Sequence, residues 1–197
     1  NPFVGQVSPS FDRVWMYGVR NGFGMAFDPL SGYLWTQENG DDTFDEMNRV
    51  TKGMNGGWVQ TMGPISRVAE YKAIEVARPG GLQQLRWPPT RLADTPALAW
   101  RRMWHVPGSE YRDPEFSWKY AVAPAGINFV GGLGLGTDYF GDMLVGASRT
   151  TLSNGYLFRF KMSADRKRYS FSDSRLDDLV ADNSDKFSPI ESETLLL

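Results

Sequence analysis

The chain has 197 residues, of which 41% are hydrophobic and 14% aromatic, and its net charge is −2. That argues against a disordered chain and gives enough length for one domain with a buried core. The absence of a long Lys/Arg cluster argues against nucleic acid as a partner, no apolar run approaches the ~20 residues that span a membrane, and the lack of cysteine removes disulfides, thiolate metal sites and Cys nucleophiles. Twenty-one glycines and twelve prolines favour an all-β reading.

Residues 1–12 read as an extended lead-in, because Pro2 and Pro9 oppose a helix. A strand is expected at 14–17. Three short apolar runs then follow, Gly24-Met25-Ala26-Phe27, Tyr33-Leu34-Trp35-Thr36 and Met47-Asn48-Arg49-Val50, separated by Asp28-Pro29-Leu30-Ser31-Gly32 and by the polar run from Glu38 to Glu46. Such runs between Gly, Asn, Asp and Pro clusters predict antiparallel strands joined by tight turns, with the polar groups in the turns. Ile65, Val68, Tyr71 and Ile74 recur at helical spacing and permit a short helix over 66–77, ended by Arg78-Pro79-Gly80-Gly81. The stretch 82–114 holds five prolines and Trp87, Trp100 and Trp104, and reads as a long irregular excursion that serves as a lid, a contact surface or a rim decoration.

A second strand-rich block begins near Phe116, with strands at 126–130, 142–147 and 155–162 and a closing segment at Tyr169-Ser170-Phe171. Residues 174–182 suit a turn of helix or a short edge strand. Gly131-Gly132-Leu133-Gly134-Leu135-Gly136 lacks phosphate-loop spacing and reads as a turn. Asn154-Gly155 is a hairpin signal, and Arg166-Lys167-Arg168 a solvated turn.

The ordered motifs Tyr17-Gly18-Val19-Arg20-Asn21 with Phe23-Gly24-Met25-Ala26-Phe27-Asp28-Pro29, then Glu38-Asn39-Gly40-Asp41-Asp42 with Asp45-Glu46 and Asn48, then Lys52-Gly53 with Gly57-Trp58, resemble the sugar dehydrogenases that depend on pyrroloquinoline quinone (PQQ). The resemblance resumes at Val122-Ala123-Pro124, Gly141–Gly146 and Gly155–Phe160. It implies an all-β fold, part of a six-bladed β-propeller of antiparallel four-stranded blades, with a blade over 13–60, the excursion with its short helix over 61–115, a blade over 116–182 and a tail over 183–197 leading toward a further blade. A few propeller blades alone leave apolar faces uncovered, so further blades, a protein partner or another closure are expected. The start at Asn1 and the end at Leu197 are read as those of a fragment or of a processed secreted protein.

By the same resemblance Arg20, Asn21, Asn39, Asp45 and Arg149 are expected to hold PQQ, a tricarboxylated quinone that suits bidentate arginine. Gly40 and Asp41 would offer carbonyl oxygens to a cofactor-bridging Ca²⁺, and Glu46 would serve a second, structural Ca²⁺. The residues alone permit a plainer reading: an arginine bonded to loop carbonyls and a solvated acidic turn. The sequence departs from the family at Gly22, Asn39, Asp41 and Ala121, and the family's catalytic base, a histidine well upstream of the Arg-Asn motif, would lie outside this chain. His105, the only histidine, matches no catalytic motif. Two functions follow: a segment of a periplasmic or secreted PQQ/Ca²⁺-dependent sugar dehydrogenase, or a non-catalytic propeller-derived extrinsic subunit that stabilises a larger complex. A carbohydrate-binding module using the tryptophans is a third.

Overall fold

The computed structural model describes residues 1–77, 87–148 and 155–182. Its strands are β1 (Gly22–Phe27), β2 (Leu34–Glu38), β3 (Thr43–Val50), β4 (Met54–Asn55), β5 (Glu110–Tyr111), β6 (Phe116–Tyr120), β7 (Pro124–Phe129), β8 (Met143–Ser148), β9 (Gly155–Phe160) and β10 (Val180–Ala181), with helices α1 (Val68–Ala77) and α2 (Pro96–Arg102). One sheet has the order β1-β2-β3-β6-β10, another β7-β8-β9, and β4 pairs with β5. The architecture is a partial β-propeller. Four antiparallel strands, β1-β2-β3-β6, form one blade, which β10 extends in parallel beside β6.

Local chemistry explains the β1–β2 hairpin. Asp28 accepts the Leu30 N–H (3.0 Å) and the Ser31 hydroxyl (2.5 Å), and its own N–H bonds Tyr33 O (2.8 Å). Gly32 completes the turn at φ +72°, a conformation that costs glycine least. Arg166 reaches across from the other sheet to the same carboxylate (Nη2 to Oδ1, 2.8 Å) and to Gly141 O (2.6 Å), pinning the two blades at this end. Burial opposes ionisation of Asp28, but the bonds from Arg166 and Ser31 outweigh it and hold its pKa below the ordinary carboxylate value.

Between the sheets lies an aromatic core: Trp35, Met47, Phe116, Trp118, Phe129, Met143, Phe158, Phe160 and Tyr169, with Leu176 and Ala181. The alternation of β8, whose Met143, Val145 and Ala147 are buried, supplies one wall. On the far face of β1, Phe23, Met25 and Phe27 stand 66–69% exposed at alternating positions. This is an uncovered blade face of the kind the propeller reading expects.

Several sequence expectations need correction. The segment 116–120 does not open the second sheet; it pairs with β3 in register Met47↔Phe116 and Asp45↔Trp118. Pairing between distant strands is a tertiary choice that local pattern does not encode. Residues 14–17 form no strand, only a bridge from Tyr17 to Asn55. The excursion contains a second helix, α2, begun by Thr95, whose hydroxyl accepts the Leu98 N–H (3.3 Å), and by Pro96 in the first turn. Proline there is a start signal rather than a break. The expected helix over 66–77 is α1, while Arg78-Pro79-Gly80-Gly81, Asn154 and the tail 183–197 lie outside the described residues.

Candidate functional site: the loop between β2 and β3

Strand β2 carries the chain up to Glu38, and residues 39–42 turn it back into β3. Gly40 is needed for that turn, since a Cβ there would lie 1.8 Å from Thr43 O. Contacts with other segments close the turn. Arg20 Nη1 donates to Asn39 O (2.5 Å) and Gly40 O (2.7 Å), and Nη2 pairs with Asp41 Oδ1 (3.2 Å). The Arg20 backbone N–H donates to Glu38 Oε2 (2.8 Å). Asn39 Nδ2 donates to Pro124 O (2.9 Å), and the Asn39 N–H to Asn21 O (2.9 Å).

Asp45 is the anchor beneath the loop. It is fully buried; Oδ1 accepts the Gly40 N–H (2.8 Å), and Oδ2 accepts those of Val122 (2.6 Å) and Ala123 (2.7 Å). One carboxylate therefore ties the loop to the connection between the two sheets. Phe44 (φ 54°) and Ala123 (φ 53°), on either side of this knot, occupy the left-handed region, at a cost of roughly 1–2 kcal/mol each. Asp45's bonds offset that cost. Burial pushes the Asp45 pKa up to about 6, against the pull of the three N–H groups and Arg20.

Glu38 and Glu46 face each other across β2 and β3, and Asn48 Nδ2 donates to both, at 3.1 and 3.2 Å. The Gly63 N–H bonds the other oxygen of Glu46. Burial raises both carboxyls, Glu38 to about 7, and the charge of Glu38 adds to the upward shift of Glu46. Contrary to the sequence reading, Asp45 and Glu46 are strand residues with buried side chains. A carboxylate enters a strand interior only when donors meet it there.

The expected site residues therefore divide. Arg20, Asn39, Gly40 and Asp41 converge on one loop, Asp45 supports it from below, and Asn21 beside it is exposed. Glu46 turns inward toward Asn48 and Gly63, and Arg149 lies outside the described residues. Ala121 precedes the Val122 N–H that Asp45 accepts. Sequence reasoning missed Asp42 and Glu75: with Asp41 their carboxylates lie within 4.8 Å of one another, and Glu75 on α1 accepts the Asp42 N–H (3.1 Å). The helical register that points Glu75 inward is the signal that was available. His105 packs on Trp100 (centroids 4.9 Å apart), its Nε2 2.7 Å from Trp100 O, and takes no part here.

The loop's chemistry suits the implied groups. Asn39 Oδ1 and Asp41 Oδ2 are buried without hydrogen-bond partners among the described residues, an arrangement that buried polar atoms rarely keep unless something else meets them. Oxygen donors around a turn suit a hard cation, and a guanidinium suits a carboxylate.

A separate cavity of about 570 Å³ opens at the opposite end of β3, lined by Arg49, Tyr111, Arg112, Glu115 and Lys167 among others, and includes none of the expected site residues. Glu115 accepts the Arg49 N–H (2.6 Å), and burial raises its pKa to about 7. A carboxyl raised in the folded state stabilises below its unfolded pKa and loses that contribution as pH climbs through the folded value. Stability of the wild type is therefore expected to fall between about pH 4.5 and pH 7 on this account. Glu115→Gln should flatten that fall, as read by urea denaturation at pH 5 and 8; an unchanged difference between the two pH values contradicts the assignment.

Residues 1–79 match the Glucose / Sorbosone dehydrogenase family. The chain is 45% identical over 58 residues to the aldose sugar dehydrogenase YliI of Escherichia coli, covering 29% of this chain and 15% of that protein. It is 41% identical over 58 residues to the uncharacterized protein slr1608 of Synechocystis, covering 29% of this chain and 14% of that protein. In fold it is similar to a glucose dehydrogenase (TM-score 0.56, 24% identity, 87% of this chain and 39% of that one). It is likewise similar to the apo-form of the soluble aldose sugar dehydrogenase of Escherichia coli (TM-score 0.55, 23% identity, 86% and 39%). The resemblance implied by the motifs is borne out, in sequence over the N-terminal segment and in fold over most of the chain. The chain spans about two fifths of the length of these structures. Among the described residues no helix is long and apolar enough to cross a membrane.

Proposed function

We propose that this chain supplies the cofactor-facing loop of a sugar dehydrogenase-like oxidoreductase that uses PQQ and Ca²⁺. The observation that carries this reading is the convergence of Arg20, Asn39, Gly40 and Asp41 on one turn, with two buried oxygens that no group among the described residues satisfies. Arg20 and Asn21, with Arg149, would face the carboxylates of PQQ. Gly40 and Asp41 would hold the bridging Ca²⁺, and Glu46 a structural one. Bound PQQ supplies the hydride acceptor for oxidation of a sugar hydroxyl. This chain's own part is to bind and orient. A periplasmic or secreted setting belongs to the same proposal.

The test is a titration of the purified protein with PQQ in millimolar Ca²⁺, followed by tryptophan fluorescence. Saturable binding at one PQQ per chain is expected, weakened about tenfold or more in Arg20→Ala, the loss of a charge-assisted pair. Absence of saturable binding contradicts the proposal. The exposed Phe23, Met25 and Phe27 favour a second reading, a non-catalytic extrinsic subunit whose blade face a protein partner covers. Under it PQQ leaves the fluorescence unchanged.

A further inference from the structure

The carbonyl that the cofactor-bridging Ca²⁺ would use is already bonded to a cation. Arg20 Nη1 lies 2.7 Å from Gly40 O and 2.5 Å from Asn39 O, and Nη2 lies 3.2 Å from Asp41 Oδ1. The guanidinium thus sets one positive charge beside Asp41, whose carboxylate lies within 4.8 Å of those of Asp42 and Glu75. It is only 10% exposed, and its position is fixed by bonds on two of its nitrogens. A Ca²⁺ bonded to Gly40 O at ~2.4 Å would stand no more than about 5 Å from Nη1, adding that bond to the 2.7 Å of the first. Two positive charges at that separation repel strongly in a partly buried site.

We propose that Arg20 is the resident cation of this loop: it keeps Ca²⁺ off the carbonyl of Gly40 until a polycarboxylate draws the guanidinium away, so that metal and anionic cofactor load together. The identity of the anion rests on the function proposed above. The exclusion of metal by Arg20 does not. Two states of one side chain, bonded to the loop or bonded to a ligand carboxylate, are enough to couple the two binding events. The coupling is reciprocal by linkage, so Ca²⁺ should tighten PQQ by the factor by which PQQ tightens Ca²⁺.

The experiment measures Ca²⁺ affinity of the whole chain by calorimetry, and Tb³⁺ affinity by tryptophan-sensitised luminescence, first without PQQ. Arg20→Met should bind either ion about tenfold or more tightly than wild type, within the usual range of site coupling, while Arg20→Lys, which keeps the charge, should stay near wild type. Arg20→Gln, which retains a donor but no charge, carries the same expectation as Arg20→Met should the latter not fold. Equal affinities in wild type and the neutral variants overturn the proposal. PQQ is then added: wild type should gain metal affinity and Arg20→Met should not. A wild type unmoved by PQQ, beside neutral variants that gain metal affinity, overturns the assigned cofactor and upholds Arg20 as the resident cation.

Discussion

Asp45→Ala is expected to destabilise the folded chain by about 4 kcal/mol, since unmet buried donors cost roughly 1–3 kcal/mol each. The substitution leaves the N–H groups of Gly40, Val122 and Ala123 unpaired in the interior. It also removes the bonds that hold Phe44 and Ala123 in the left-handed region, so the backbone strain there loses its counterweight. The discriminating comparison is Asp45→Asn, whose amide keeps one acceptor oxygen; about 2 kcal/mol is expected, because one or two of the three donors stay satisfied. Guanidinium denaturation of the three chains measures both values. A small loss in Asp45→Ala, under about 1 kcal/mol, contradicts the knot as the loop's support, because buried unmet donors cannot be that cheap.

Trp118→Ala is expected to cost a similar amount, about 4 kcal/mol, by the ordinary price of truncating a large buried aromatic. Trp118 is 1% exposed and packs against Phe116, Phe158 and Phe160 at centroid distances of 5.0, 5.0 and 5.8 Å. It sits on β6, while Phe158 and Phe160 sit on β9, so this contact joins the two blades. Trp118 Nε1 has no hydrogen-bond partner among the described residues. Trp118→Phe forfeits no bond there and should cost less than about 1.5 kcal/mol, mainly in lost volume. Thermal unfolding followed by near-ultraviolet circular dichroism reads both. A loss under about 1.5 kcal/mol for Trp118→Ala would contradict this packing as what holds the seam.

The parts of this molecule that were legible in its sequence are those written locally. The turn at Asp28–Gly32, the strand β2, the end of β3 from Met47 and the helix α1 follow from period and punctuation. Thr95-Pro96 also announces α2, but five prolines in one stretch obscured the difference between a proline that starts a helix and one that forbids it. The ordered motifs from Arg20 to Asn48 led to the right fold because several of them stand in sequence at matching spacing.

Legibility failed where a residue's partner is far along the chain. Nothing near Phe116 says that β6 joins β3 in place of β7. Asp45 and Glu46 read as turn residues because carboxylates usually are. Their burial depends on N–H groups supplied by residues 122, 123 and 63. Glu75 reaches the loop only because α1 packs against β3. Arg20 shows the same limit differently. Its two readings, ligand-facing and carbonyl-bonded, were both chemically sound, and the structure shows the second geometry without removing the first chemistry.

The measurement that tests the central claim most directly is a binding titration of PQQ into the protein with and without Ca²⁺, with a dye-reduction assay on an aldose run alongside. The account predicts one saturable PQQ site per chain that requires Ca²⁺, with sugar-dependent dye reduction by the loaded protein. A chain that binds no PQQ at any Ca²⁺ concentration, while folding and unfolding cooperatively, contradicts it and leaves the loop a structural knot inherited with the propeller.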